Sequence, residues 1–326
     1  MLRATLLAGR ADDPMADTQP AHAPVMAAEV LSLLRCAPGG LYVDATVGLG
    51  GHARAILERI QPGGRLVGLD RDKESLEIAR RRLEPHAPLV RLFHENFKNL
   101  PLILNNLALG PADGILVDLG VSSYQLLSGE RGFSFDSDAL LDMRMDRSQR
   151  LTAAHLVNDL SQSELADLIF RYGEERQARR IARAIVMARE SGAITRCSQL
   201  AALVARAGRG GSRKIHPATQ TFQALRIAVN KELEGLEEFL AQAVSFLGTG
   251  GRLAVISFHS LEDRIVKRSF RLLSGQCVCD RPAQLCTCPR RPLGRLITPR
   301  AIKPSSAELA ANPRARSARL RALERI

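Results

Sequence analysis

No apolar run in this 326-residue chain approaches the roughly 18 residues needed to span a bilayer. The sequence therefore offers no membrane helix. It shows no internal repeat either, which argues against a solenoid or propeller. The first residues, MLRATLLAGRADDPMADTQPAHAP, hold only a token apolar patch, with Asp12 and Asp13 close behind. They make a poor signal peptide. They read as a disordered tail over 1–21, with Met15 as an alternative start. What is present is a 45% hydrophobic composition, enough for one sizeable core and a small additional domain.

Acidic balance is missing from one end only. The net charge is +12. From Arg264 to Ile326 there are 15 Lys/Arg against 3 Asp/Glu, which leaves 31 of each sign in the rest. A localised basic field attracts polyanions by counterion release. The arginine bias favours RNA, because guanidinium pairs with phosphate and stacks on bases. The same stretch lacks the apolar face of a membrane-surface helix, and a plain solubilising surface is the remaining alternative.

Strand-like and helix-like segments alternate through the first third of the chain, which argues for a parallel sheet. Strands are expected at Leu41 to Ala45, Arg65 to Asp70, Leu89 to Phe93 and Ile115 to Leu119, with helices between. The strand signal then disappears from about 129 to 215. Helical periodicity replaces it, including a capping box at Ser161 and Glu164. An all-helical insertion over 129–215 is expected, with 22–128 and 216–326 forming one discontinuous α/β domain. GRGGSRK, Gly208 to Lys214, reads as the return linker. A helix or helix pair follows over about 218–247, then the turn GTGG and a strand from Arg252 to Ser257. A basic segment over 272–326 adds short strands at Leu293 to Thr298 and Ser317 to Arg325.

The stretch VDATVGLGGH, Val43 to His52, has the grammar of a nucleotide-cofactor site. An apolar strand ends in Asp44, and Gly48, Gly50 and Gly51 let backbone approach a ligand. Asp70 ends the next strand about 20 residues on, where a carboxylate can bond ribose hydroxyls. Asp118 ends the fourth strand, and Phe97 stands in the turn after the third, to pack on adenine or in the core. Gly48-x-Gly50-x-x-Ala53 also fits a dinucleotide fingerprint. Asp44 within the motif, and the helix preceding the strand, favour S-adenosylmethionine.

Many amino-methyltransferases carry Asp/Asn-Pro-Pro-aromatic after the fourth strand. Here Asp118-Leu-Gly-Val-Ser-Ser stands instead, without the proline pair or the aromatic. The catalytic candidates are therefore Ser122, Ser123 and His259. His259 is either a proton or phosphate contact or a loop residue bonded to backbone. Glu262 and Asp263 read as acids in the first turn of a helix. Candidate substrate contacts are Phe133, Phe135, Arg226, Asn230 and Arg264. The stretch from Gly132 to Asp146 reads as a lid or base-binding loop, with Phe133 and Phe135 either stacking on RNA or packing the insertion.

VDATVGLGGH, HPATQTFQALRIAVNKEL (216–233) and GRLAVISFHSLEDRIVKR (251–268) together resemble one family. It is the bacterial small-subunit rRNA cytidine N4-methyltransferases, called methyltransferase H. The resemblance runs from about His22 to the C-terminus. It implies a Rossmann-like α/β class I S-adenosylmethionine methyltransferase with a helical insertion, working in the cytoplasm on 16S rRNA within the small ribosomal subunit. The implied target is a decoding-centre cytidine. Implied cofactor contacts are Gly50, Gly51, His52, Asp70, Phe97, Asp118 and Gln125, beside Asp44 and Gly48. Thr46 stands where many methyltransferases have a first glycine, as it does in this family. Rival readings are a methyltransferase for another RNA, DNA or a protein amine, a nicotinamide-dependent dehydrogenase, and an RNA-binding protein with a relict pocket.

Six cysteines occur in all. Cys36 and Cys197 read as isolated reduced thiols. Cys277, Cys279, Cys286 and Cys288 form two C-x-C pairs, a density that suggests zinc over disulfides, although C-x2-C is the usual ribbon spacing. The family's catalysis requires no metal, so any ion there is structural.

Overall fold

The computed structural model describes residues 24–135, 138–208, 216–279, 285–288 and 291–326, with Ser123 and Leu127 described in backbone only. The expected tail, most of the return linker and part of the cysteine segment lie outside these residues.

Strands β1 (Leu41–Asp44), β2 (Arg65–Asp70), β3 (Val90–His94), β4 (Ala112–Asp118), β5 (Leu247–Ser257), β6 (Gly294–Leu296) and β7 (Arg319–Arg325) form one sheet. Its order is β3-β2-β1-β4-β5-β7-β6. The first five strands are parallel, and β7 runs antiparallel between β5 and β6. Alternate strand residues face opposite layers, as the two-residue strand period requires. Val43, Val67, Ile115 and Val255 face one core, Tyr42, Leu66, Leu116 and Ile256 the other. Helices α1 (Ala27–Leu34), α2 (Gly51–Ile60) and α3 (Lys73–Arg82) cover the second face. Helices α4 (Leu100–Leu107), α11 (Leu236–Ser245) and α12 (Ser260–Leu273) cover the first. This is the doubly wound class I methyltransferase plan, whose ligands bind at the C-terminal strand ends.

Between them run α5 (Ser123–Leu127), α6 (Ala153–Asp159), α7 (Gln162–Gly173), α8 (Ala178–Arg189), α9 (Cys197–Ala207) and α10 (Thr219–Asn230). The short α13 (Ser306–Ala311) follows β6. Ser161 caps α7 in the expected box, its Oγ accepting from the Glu164 N–H at 3.3 Å. Buried residues of α6–α9 make a separate apolar cluster that also takes in Phe222, Leu225 and Val229 of α10. So α10, on the far side of the expected 215/216 boundary, packs with the insertion. A Cβ at Gly173 would sit 2.5 Å from the Gln220 carbonyl, so α7 and α10 touch backbone to backbone there.

Two expectations change. GTGG is no separate turn before the strand. It lies within β5, where Ala112 pairs with Leu247 and Gly114 with Arg252, a bulge that gathers the extra residues. Gly250, at φ 83°, supplies a conformation other residues resist. The third strand is shifted by one residue, running Val90–His94 where Leu89 to Phe93 was expected.

Candidate active site

A cavity of about 390 Å³ opens at the C-terminal ends of β1, β2, β4 and β5. The first wall is the loop from β1 to α2. Asp44 Oδ1 accepts from the Thr46 N–H at 3.1 Å, and the Thr46 hydroxyl accepts from the Asp118 N–H at 2.6 Å. Thr46 thus ties the loop to β4, a task no glycine could perform. Gly48 and Gly50 take φ of 53° and 85°. Gly51 and His52 bring the N-terminus of α2 to the cavity, where helix N–H groups favour negative ligand groups.

Asp70 makes the second wall. Its carboxylate accepts from the Gly48 N–H at 2.6 Å and the Asp72 N–H at 2.8 Å, leaving one lone pair on each oxygen for a ligand. Asp72 caps α3 and accepts from Gln125 Nε2 at 2.6 Å. The buried Arg131 bonds to Asp72, Glu74 and the carbonyls of Arg144 and Met145. Ser122 caps α5 in a box with Gln125, and both line the cavity. Phe97 lines it too, its ring tilted on Phe239 with centroids 4.7 Å apart. Phe97 therefore has one edge in the core and one side on the ligand space.

Its electrostatics are unusual. Burial pushes the Asp44 carboxyl up to about 7, against the Thr46 hydrogen bond and with help from the Asp70 charge. Burial, then the nearby Asp44 and Glu262, raise Asp118 well above the usual carboxylate range. Burial lowers His52 to about 4, so its ring is neutral at neutral pH. His52 Nε2 lies 3.7 Å from Asp118 Oδ2. Asp44 Oδ2, Asp118 Oδ1 and His52 Nε2 are all buried without a hydrogen-bond partner. Such groups are costly unless a ligand engages them.

The third wall comes from the segment after β5. His259 caps α12 and Glu262 closes the box. The Glu262 Oε2 accepts from the Phe258 N–H at 2.9 Å, and its Oε1 lies 3.1 Å from His259 Nε2. Burial works against the Glu262 charge, but the His259 hydrogen bond, the His259 and Arg226 charges and the Phe258 N–H hold its carboxyl below the ordinary range. Glu262 lines the cavity, as do Glu232 and Arg226, which form a bidentate pair at 2.9 Å.

The structure separates the remaining candidates. Asp44 and Gly50 stand behind the cavity lining, and His259 reaches it only through Glu262. Asn230 is buried and staples the loop between α5 and α6, bonding to the Met143 carbonyl and the Met145 N–H. Of that loop, Met145 reaches the cavity. Phe133 is packed in the insertion core. Phe135 stacks on His216 at 4.5 Å and meets Phe222 edge-on. Arg264 is exposed and pairs with Glu174 outside the cavity. The Ser123 side chain lies outside the described residues. Sequence reading missed Arg71 and Lys231 and the cavity positions of Glu232 and Glu262. Their one signal was a run of charges inside otherwise apolar motifs.

Fold and site together define a class I methyltransferase. The profile of the MraW methylase family matches residues 19–326. The chain is 54% identical over 307 residues to Ribosomal RNA small subunit methyltransferase H of Syntrophotalea carbinolica, covering 94% of this chain and 98% of that protein. The protein of the same name from Geotalea uraniireducens is 52% identical, with 94% and 98% covered. Among solved structures, an rRNA methylase from Streptococcus thermophilus aligns at 11% identity and TM-score 0.38, covering 90% of this chain and 92% of that one. The chain belongs to the MraW methylase family.

Proposed function

We propose that the protein methylates the exocyclic N4 amine of a cytidine in the decoding centre of 16S rRNA, using S-adenosylmethionine. The observation that carries the cofactor part of this reading is a pair of buried carboxyl groups, Asp118 in the cavity lining and Asp44 behind it. Asp44 and Asp118 are held above their ordinary pKa with oxygens unsatisfied. A site of this kind fits a cation-bearing ligand, because a positive charge favours the ionised carboxylates. When bound, S-adenosylmethionine supplies an electrophilic methyl on a positively charged sulfur.

The chain's own groups do the rest. Gly48, Gly51 and the α2 N-terminus receive the amino-acid end, and Asp70 accepts from ribose hydroxyls. Phe97 packs on the adenine. Asp118 and His52 face the reacting end, and Ser122 borders it. Glu262, kept ionised by His259 and Arg226, accepts an N–H of the cytosine amine. That bond raises nitrogen electron density, and the Glu262 carboxylate takes the proton the amine sheds as it gains the methyl. The extruded base must leave its stack to enter so enclosed a site.

The rRNA target is supported by the names the relatives carry, and cytidine N4 by the family resemblance. One observation favours N4 over carbon C5. Methylation at C5 of cytosine needs a covalent nucleophile, normally a cysteine, and none lines the cavity among the described residues.

The test offers labelled S-adenosylmethionine to the protein with three acceptors: small ribosomal subunits lacking the modification, naked 16S rRNA, and DNA. Label entering the 16S rRNA, in subunits or alone, is the expected result. Label in DNA alone, or in ribosomal protein, contradicts the proposal.

A further inference from the structure

Between α12 and β6 the chain makes an excursion whose described residues join no core. The Leu293 N–H donates to the Leu273 carbonyl at 2.8 Å, so the chain leaves and returns at one point. No described residue between these two is buried, and Leu285 is 64% exposed. A segment this short with no fully buried residue among those described needs a staple to hold one shape.

The staple is visible in the thiols. Cys277, Cys279, Cys286 and Cys288 bring their sulfurs within 4.8 Å of one another. Cys277 Sγ lies 3.4 Å from Cys279 Sγ, 3.4 Å from Cys286 Sγ and 3.9 Å from Cys288 Sγ. These are contacts between free thiols, far beyond the roughly 2.05 Å of a disulfide. Four sulfurs around one ion with bonds of about 2.3 Å stand about 3.8 Å apart in a tetrahedron. The observed spacing brackets that value. A polynuclear iron–sulfur cluster shares its cysteines among several irons and needs a wider cage.

We propose that Cys277, Cys279, Cys286 and Cys288 bind a single zinc ion as a closed tetrathiolate. An all-thiolate set selects a soft or borderline ion over magnesium or calcium. Four protein ligands leave no open position, which makes the ion structural. None of the four cysteines lines the active-site cavity, so the ion takes no part in methyl transfer. It fixes the excursion at the end of α12.

The full chain, expressed with zinc and purified without chelator, is expected to carry one zinc per chain by elemental analysis. Replacement by cobalt is expected to give the intense visible bands of a tetrahedral thiolate complex. Cys279→Ser with Cys288→Ser is expected to abolish zinc binding and speed proteolysis within the excursion, with binding of S-adenosylmethionine unchanged. Metal-free protein with four titratable thiols after zinc-replete expression overturns the proposal, and so does a stoichiometric iron cluster. The metal content and cobalt spectrum of the unaltered chain decide the matter even if the variant fails to fold.

Discussion

Asp118 and Glu262 line the cavity with Asp44 behind them, and the charge on Asp118 depends on both neighbours and on what binds. Asp44 sits near 7 and Asp118 higher than usual because burial disfavours their charge. A sulfonium or ammonium favours the ionised forms, so binding releases protons. Affinity for S-adenosylmethionine should therefore rise with pH toward about 7, where Asp44 ionises in the free protein, by up to about tenfold per unit for each proton released. S-adenosylhomocysteine, which lacks the sulfonium charge, should show a shallower slope. Calorimetry in buffers of different ionisation heat checks this, and equal slopes would rule out sulfonium coupling. Glu262→Gln keeps an oxygen for the Phe258 N–H but loses the charge. It should lower kcat by about 100-fold and leave cofactor affinity in place. A fall in cofactor binding with unchanged kcat would assign Glu262 to the wrong ligand.

At the level of elements, the C-terminal strand pairs part of the basic tail internally. On β7 the buried Arg321 pairs with Asp263 at 2.7 Å, and Arg319 reaches the same carboxylate at 2.9 Å. Glu324 binds Arg252 and Arg295. These ion pairs tie β7 to α12, β5 and β6. Asp263→Ala strands Arg321 without its partner and should cost about 3–5 kcal/mol, read by urea unfolding. Replacing Asp263 and Arg321 together with leucine should recover most of that loss. A variant as stable as the parent would show the pair to be idle. The parallel strands were legible in the sequence because burial on both faces writes them as short apolar runs, and β2 matches its expected span residue for residue. The long-range ties were not legible. Nothing local marks the Thr46–Asp118 link across 72 residues or the Glu262 reach into the cavity, and nothing local decides between the two readings of Phe133 and Phe135. Gly, Asp and chain order identify a cofactor loop. Substrate contacts depend on which helix faces the opening, and that is decided by tertiary packing.

Over the whole molecule, the exposed basic residues left after internal pairing include Lys267, Arg268 and Arg271 on α12, with Arg300, Lys303 and Arg316 beyond it. Reversing Lys267, Arg268 and Arg271 to glutamate should weaken RNA binding across sequences. It should also reduce the slope of log affinity against log salt by about 0.7–0.9 for each phosphate no longer neutralised. A salt slope unchanged by the triple reversal would move the RNA footprint elsewhere, with the exposed arginines of α8 next in line. The most direct test of the account is chemical. Small subunits from a strain lacking this gene, incubated with the protein and S-adenosylmethionine, are digested to nucleosides and analysed by mass spectrometry against N4- and C5-methylcytidine standards. The account predicts one new methyl on cytidine N4. A methyl on C5, on another base, or on no nucleoside despite bound cofactor would contradict it.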